Sequence, residues 1–364
     1  MAGTRVLLDQ ISPYRSRRVV VECDTRTTAA YLLDARGEVR VPVWLANHEV
    51  APETSDPTGL YHGRAPLMPA AHTKHPHGRT RFDTDRLRAV WFEEGDGVAL
   101  LDGDTPLAII PGWAEADSGL PGYTRDAIGR SPYAWELDTV EAQLWPRVVH
   151  AEAYWNWRAS PNAWRSVQRT VYNHLTRKVG TAGHYWDVSD GHAPLVRVSE
   201  HPPRTGRPFT VLSTVGMCGQ RMPTLDRYMA DASSFARIEL GLATTMPAHL
   251  AARIFRWIGA FPWRAVTWFG PGHSVKWLDN NEDTVMRGES TAVLLVADPA
   301  PLSGGARIPP DTSGLTFHGD PVQWLWVVPI TRPEHLFAKE HDAATLIDKL
   351  AAEGRSWVLA GPHS

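Results

Sequence analysis

The chain has 364 residues, 43% of them hydrophobic and 21% charged, with a formal net charge of −3. That is enough apolar sequence for two domains with their own cores and too much for a disordered chain. No basic surplus or Lys/Arg run is present to neutralise a phosphate backbone or an anionic membrane surface, so neither nucleic acid nor membrane is an expected partner. The longest purely apolar stretch, Ala292 to Ala297, cannot span a bilayer, and the short run Val6 to Leu8 is far below an export signal. Two cysteines far apart, Cys23 and Cys218, make neither a disulfide framework nor a zinc spacing and suit a reducing compartment, so the cytoplasm is the expected location.

From Val6 to about Pro111 the pattern is one of short β-type runs: Arg18 to Glu22, Ala30 to Leu33, Val39 to Leu45, Arg88 to Phe92, Val98 to Leu101 and Leu107 to Ile110. Asp34-Ala-Arg-Gly37 and Asp102-Gly103-Asp104 read as hairpin turns, because Asp and Gly tolerate the positive φ such turns need. Ala51 to Arg81, rich in Pro, His and Gly and without periodicity, reads as a long surface loop. A second Pro/Gly-rich stretch, Pro111 to Pro132, precedes a helical block. The expected organisation is a smaller, mostly-β N-terminal domain over residues 1–139 and an α+β domain over 140–364.

In the second part a helix is expected over about Val140 to Arg158, starting at Pro146 if that proline breaks it. Another is expected from an N-cap at Ser160, with Pro161 in the first turn, to a stop at Gly180. Strands are expected over Pro208–Val215 and Ala236–Ala243, a helix over Pro247–Phe261, and further strands over Ala265–Phe269, Thr291–Ala297 and Val322–Ile330. Thr331-Arg-Pro-Glu334 is a capping-box pattern, and an amphipathic helix from about Asp342 ends at Gly354. Thirteen of the 16 tryptophans lie after residue 130; such rings fill cores and also anchor interfaces, and most of them are read as core filling.

Four segments in fixed order carry a resemblance: Val211-Leu-Ser-Thr-Val-Gly-Met-Cys218; Arg237-Ile-Glu-Leu240; Gly272-His-Ser-Val-Lys-Trp277 with Ala292 to Pro299; and Val322 to His335 with the helix that follows. Together they resemble the Suppressor of fused (SUFU) family, bacterial type. The resemblance implies a mixed β-sheet flanked by helices and a binding role without catalysis. Animal members close two domains around a short peptide of a Gli transcription factor, which adds as a β-strand, and bacterial relatives are thought to act as immunity proteins against toxins. The implied function is therefore a cytoplasmic, non-enzymatic module that binds a protein or peptide, with a toxin as the implied partner and no cofactor. The resemblance places Leu212, Thr214, Met217, Arg221 and Met222 near the ligand. The chain departs from the animal pattern at Leu212, where that family has Tyr, and at Gln220-Arg221, where it has acidic residues. Residues before 140 resemble no named family.

The alternative is a metal- or Cys-dependent enzyme with a site between the two domains. Its candidate residues are His62, His72, His75 and His77, the acidic group Glu93, Glu94, Asp96, Asp102 and Asp104, and Cys218. Each has a plainer reading. The histidines sit in a solvated loop, the acids on charged hairpin tips, and Cys218 in a position where the family has serine. Asp279 to Asp283 begins like a calcium loop but has Thr284 where Gly is required and Ser290 where the bidentate Glu should stand. His273 and His318 read as loop or strand-end residues.

Overall fold

The computed structural model describes residues 3–55, 64–131, 133–189, 191–276, 290–304 and 307–360. Its contacts group the chain into two units, residues 1–159 with 263–266, and residues 160–262 with 267–364.

The first unit holds two sheets. Strands β1 (Arg5–Ile11), β2 (Arg17–Cys23), β3 (Thr27–Asp34) and β4 (Val39–Asn47) form an antiparallel meander. Strands β5 (Leu87–Trp91), β6 (Val98–Asp102), β7 (Thr105–Ile110) and β8 (Tyr123–Thr124) are antiparallel in turn, and β9 (Trp135–Glu136) lies parallel to β8. Alternation along the strands decides the packing. Val19, Val21, Val41 and Val43 share one core with Val98, Leu100 and Leu107, so the sheets pack face to face. Val90, Ala99, Leu101 and Ile109, on the opposite face of the second sheet, pack on Leu144, Val148 and Ala151 of helix α1 (Glu141–Arg158). That helix starts ahead of Pro146, which sits early enough to forfeit one intrahelical bond without ending it.

Two features of this unit differ from the sequence reading. Strand β1 has one buried residue, Leu7, and no apolar alternation, so nothing in its composition marks it as a strand. The segment from Ala51 to Arg81 is packed where it is described. Met68 is fully buried, its backbone N–H and C=O both held by the Asn47 side-chain amide, and Thr73 bridges Ala127.

The second unit begins with α2 (Ala163–Lys178), whose start at Ala163 lies just beyond the expected Ser160 cap. Then come β10 (Tyr185–Asp187), β11 (Arg197–His201), β12 (Thr210–Val215), the single turn α3 (Leu225–Tyr228), β13 (Arg237–Thr244), and the short helices α4 (Ala248–Ala251) and α5 (Arg253–Ile258), before α6 (Phe261–Ala265), most of which groups with the first unit. They are followed by β14 (Ser274–Lys276), β15 (Ser290–Val296), β16 (Thr316–Phe317), β17 (Asp320–Thr331), α7 (Arg332–Glu340) and α8 (Ala343–Ala352).

The strands form one mixed sheet in the order β10-β11-β12-β13-β17-β15-β14, with β16 as a hairpin partner of β17. Every described pairing is antiparallel except β13 with β17. Strands β12 and β13 are buried along their whole length, as central strands covered on both faces must be. The expected architecture, an α+β sheet with flanking helices preceded by a mostly-β region, is the one observed. Thr331 makes both bonds of its capping box with Glu334.

Ala265–Phe269 is not a strand. Phe261 to Ala265 is helical and Val266 takes φ +51, where a β-branched residue is strained. The helix expected over Pro247–Phe261 is three short pieces, with Gly259 closing α5 and Pro262 accommodated in the first turn of α6.

Candidate functional site

Strand β12 runs out at Val215, and Gly216, at φ +119, turns the chain into a single 3-10 turn, Met217–Gly219. A side chain is disfavoured at Gly216 for a second reason. A Cβ there would come within 2.5 Å of the Leu195 carbonyl oxygen and 2.7 Å of the Trp164 ring.

Underneath the turn lies a buried polar knot. The Gly216 and Cys218 N–H groups donate to Glu239 Oε1 at 2.8 and 3.1 Å, and the Thr214 hydroxyl donates to Glu239 Oε2 at 2.6 Å. The same Thr214 oxygen accepts the Leu240 N–H at 2.7 Å. Gln220 Nε2 donates to the carbonyls of Gly216 and Met217, and Arg237 Nη1 donates to that of Cys218. Arg237 Nε reaches Asp320 Oδ2 at 2.9 Å, and Arg221 grips the same carboxylate with two bonds of 2.8 and 2.7 Å. Strand geometry explains the convergence: residues two apart on β13 face the same side, so Arg237 and Glu239 both lie beneath the turn.

Burial sets the electrostatics. It pushes Glu239 up, ahead of the opposing bonds from Thr214, Gly216 and Cys218. Burial also raises Asp320, but the hydrogen bond and charge of Arg221, then Arg237, outweigh it and hold that carboxyl below its ordinary value. Burial and the neighbouring Glu239 carboxylate push the Cys218 thiol well up. A thiol that stays protonated and enclosed is a poor nucleophile, so the reactive reading of Cys218 has no support here.

The five residues named from the resemblance gather around this knot, with different access. Leu212, Thr214, Met217 and Met222 are at most 1% exposed. Leu212 and Thr214 sit on β12, which pairs with β11 on one side and β13 on the other. Met222 donates its N–H to the Ala236 carbonyl, and its sulfur accepts the Phe269 N–H. Arg221 is the one with solvent contact, its side chain 23% exposed. Sequence reasoning missed Arg237, Glu239, Gln220 and Asp320. Alternating charge along Arg237-Ile-Glu-Leu240 looks like a half-solvated strand, and no local signal in the sequence separates it from one.

The other candidates are dispersed or enclosed. Among the described residues, no group of three or more His, Cys, Asp or Glu side chains could hold a metal ion. His62 and the Asp279–Asp283 segment lie outside the described residues. His72 Nδ1 lies 3.2 Å from the Ile128 carbonyl, and His75 is 3.6 Å from Asp126. Glu93, Glu94 and Asp96 are buried, not exposed on hairpin tips as the sequence suggested. Helix α1 supplies partners, His150 to Glu93 at 2.8 Å and Arg147 to Glu94 at 3.2 Å. Asp104, in contrast, is fully exposed. His273 contacts the Trp268 carbonyl and is pulled down by burial, and His318 sits at the β16–β17 hairpin tip, stacked on Phe317.

No described helix is long and apolar enough to cross a membrane. A search of the curated proteins returned no match. Several solved structures are similar, among them these three. A Neisseria gonorrhoeae protein described as a SUFU homologue shares 15% identity, with 53% of this chain and 93% of that one covered and a TM-score of 0.38. A chain of the Sufu–Fu complex shares 12%, with 54% and 91% covered and a TM-score of 0.38. Drosophila Suppressor of Fused shares 12%, with 53% and 49% covered and a TM-score of 0.35. Residues 192–360, from just before β11 to beyond α8, match the family model described as Suppressor of fused protein, SUFU. The match takes in β12, the Gly216 turn, β13 and β17, which hold the buried knot, so it is this part of the chain that is similar to the Suppressor of fused family.

Proposed function

We propose that the chain is a non-enzymatic protein-binding module that captures a peptide segment of its partner, with a bacterial toxin as the partner class and neutralisation as the outcome. The SUFU match over residues 192–360 carries the reading. It is supported by the state of the polar groups at the centre of that match. Glu239, Arg237, Thr214 and Cys218 are all enclosed and hold the Gly216 turn, an arrangement that builds a rigid scaffold and leaves no acid, base or nucleophile facing a substrate. Strand capture suits such a scaffold, because main-chain bonds at a free strand edge supply affinity while a few side chains choose the partner.

Of the five residues placed near the ligand, Arg221 is proposed as the one that reaches a partner directly, and Leu212, Thr214, Met217 and Met222 as supports that fix the turn. The test is capture of a partner by the tagged full chain from a lysate of its own host, followed by reconstitution from the two purified proteins. A stoichiometric complex that blocks the partner's toxicity is the expected result. A complex without any effect on toxicity would remove the immunity role, and turnover of the captured protein by the chain would overturn the non-enzymatic reading.

A further inference from the structure

Strand β17 is paired unevenly. On one side β13 accompanies it from Val322 to Trp326. On the other, the ladder with β15 stops at the Val296–Trp326 pair and the ladder with β16 stops at Pro321, where the Val322 N–H still reaches the Leu315 carbonyl at 2.9 Å. Gln323, Trp324 and Leu325 therefore have no strand partner on that side among the described residues. Because the Val322 N–H faces that side, the alternation of a strand turns the Trp324 N–H and C=O the same way.

The chain cannot fill this gap itself. In the register of β15, Asp298 and Pro299 would stand opposite Trp324 and Gln323, but the chain turns away at Asp298 into a short 3-10 turn, and Pro299 has no N–H to give. The wall across the gap carries Pro309 and Pro310, which lack the same donor. That wall is fixed. His174 of α2 contacts the Thr312 carbonyl at 2.9 Å while stacking on the Trp324 ring, and Lys178 pairs with Asp311 at 2.7 Å. What remains is a groove of about 500 Å³ whose ionisable lining residues, among those described, are Asp298 and Asp311, with no lysine or arginine among them. Asp298 is exposed and accepts the Ala300 N–H.

We infer that this groove binds an extended peptide segment of a partner protein, paired antiparallel to β17 at Trp324, with a lysine or arginine side chain directed to Asp298. The inference rests on the protein-binding reading above and gives it a location. A gap of three residues spans about 10 Å of strand, so the occupant contributes a short run and its side chains carry the selectivity.

The probe is a fluorescein-labelled, capped six-residue peptide of alternating valine and threonine with one central lysine, titrated into the full-length protein by anisotropy. Hydrogen exchange at the Trp324 amide is followed in parallel. The expected result is saturable binding, at least tenfold weakening when glutamate replaces the lysine, a similar loss in the Asp298→Lys and Thr316→Arg proteins, and slower exchange at Trp324 with peptide bound. Both substitutions are at exposed positions, and an unchanged unfolding midpoint confirms that each variant is folded. No saturation by 5 mM peptide, equal binding of the two peptides, or unchanged exchange at Trp324 would overturn the site. Undiminished capture of a natural partner by the Thr316→Arg protein would also overturn it while leaving the protein-binding reading in place.

Discussion

Each unit buries a group of charges, and the two groups are built differently. In the first, Glu93 and Glu94 sit at the end of a strand and are met by His150 and Arg147 from α1, side chains that are 48% and 28% exposed. In the second, Arg237 and Glu239 are both fully buried, and their partners are the backbone of a turn and the start of another strand. The first group has water beside both of its helix partners to take up a lost one, whereas in the second water reaches only Arg221, at the rim of Asp320. Removing one member should therefore cost much more in the knot than at the helix.

The largest effect is expected from Arg237→Met. It strips one cation from Asp320 and a donor from the Cys218 carbonyl, inside a sheet covered on both faces. Breaking a buried charge pair from one side costs about 3–5 kcal/mol, and urea unfolding of the second unit should show a loss of that size. A loss below about 1 kcal/mol would mean that water reaches the knot and that the two groups are alike. Gly216→Ala comes next. The backbone conformation alone costs roughly 1–3 kcal/mol for a side chain, and the collision with the Leu195 carbonyl adds to it, so a loss of at least about 2 kcal/mol is expected. His150→Ala should cost about 1 kcal/mol, since the imidazole is half-exposed and water can replace it.

The same contrast explains what could be read from the sequence. Hairpin turns at Gly37 and Gly103, the cap at Thr331 and the central apolar strands are local features, set by residues within a few positions of each other, and they were legible. Strand β1 was not, because it is mostly exposed and held by pairing with β2. The knot was not, because Asp320 is 83 residues from Arg237 along the chain and is brought to it by the parallel pairing of β13 with β17. The gap beside β17 was hidden for the same reason. Asp298-Pro299 and Pro309-Pro310 are visible as strand-ending residues, but that they face one edge from two sides follows only from the ladder registers. Burial of Glu93 and Asp96 escaped notice because turn sequences rich in Asp and Glu are usually exposed.

The smallest expected effect separates the two carboxylates of the knot by pH. Asp320 is held below its ordinary value by Arg221 and Arg237, so its contribution to stability is complete above the unfolded carboxylate range, about pH 4, and is lost as the pH falls through the lowered folded value. Glu239 is raised by burial, so its proton stabilises the fold fully below its unfolded pKa, and that contribution is lost as the pH rises through the folded value. Carried from pH 7 toward pH 3, the wild type should gain from Glu239 first and lose from Asp320 afterwards. In Glu239→Gln the early gain should vanish, while in Asp320→Asn the late loss should shrink. Urea midpoints measured across that range decide the matter. Identical pH profiles for both variants and the wild type would show that the two carboxylates titrate as they do in the unfolded chain, and that water reaches the knot.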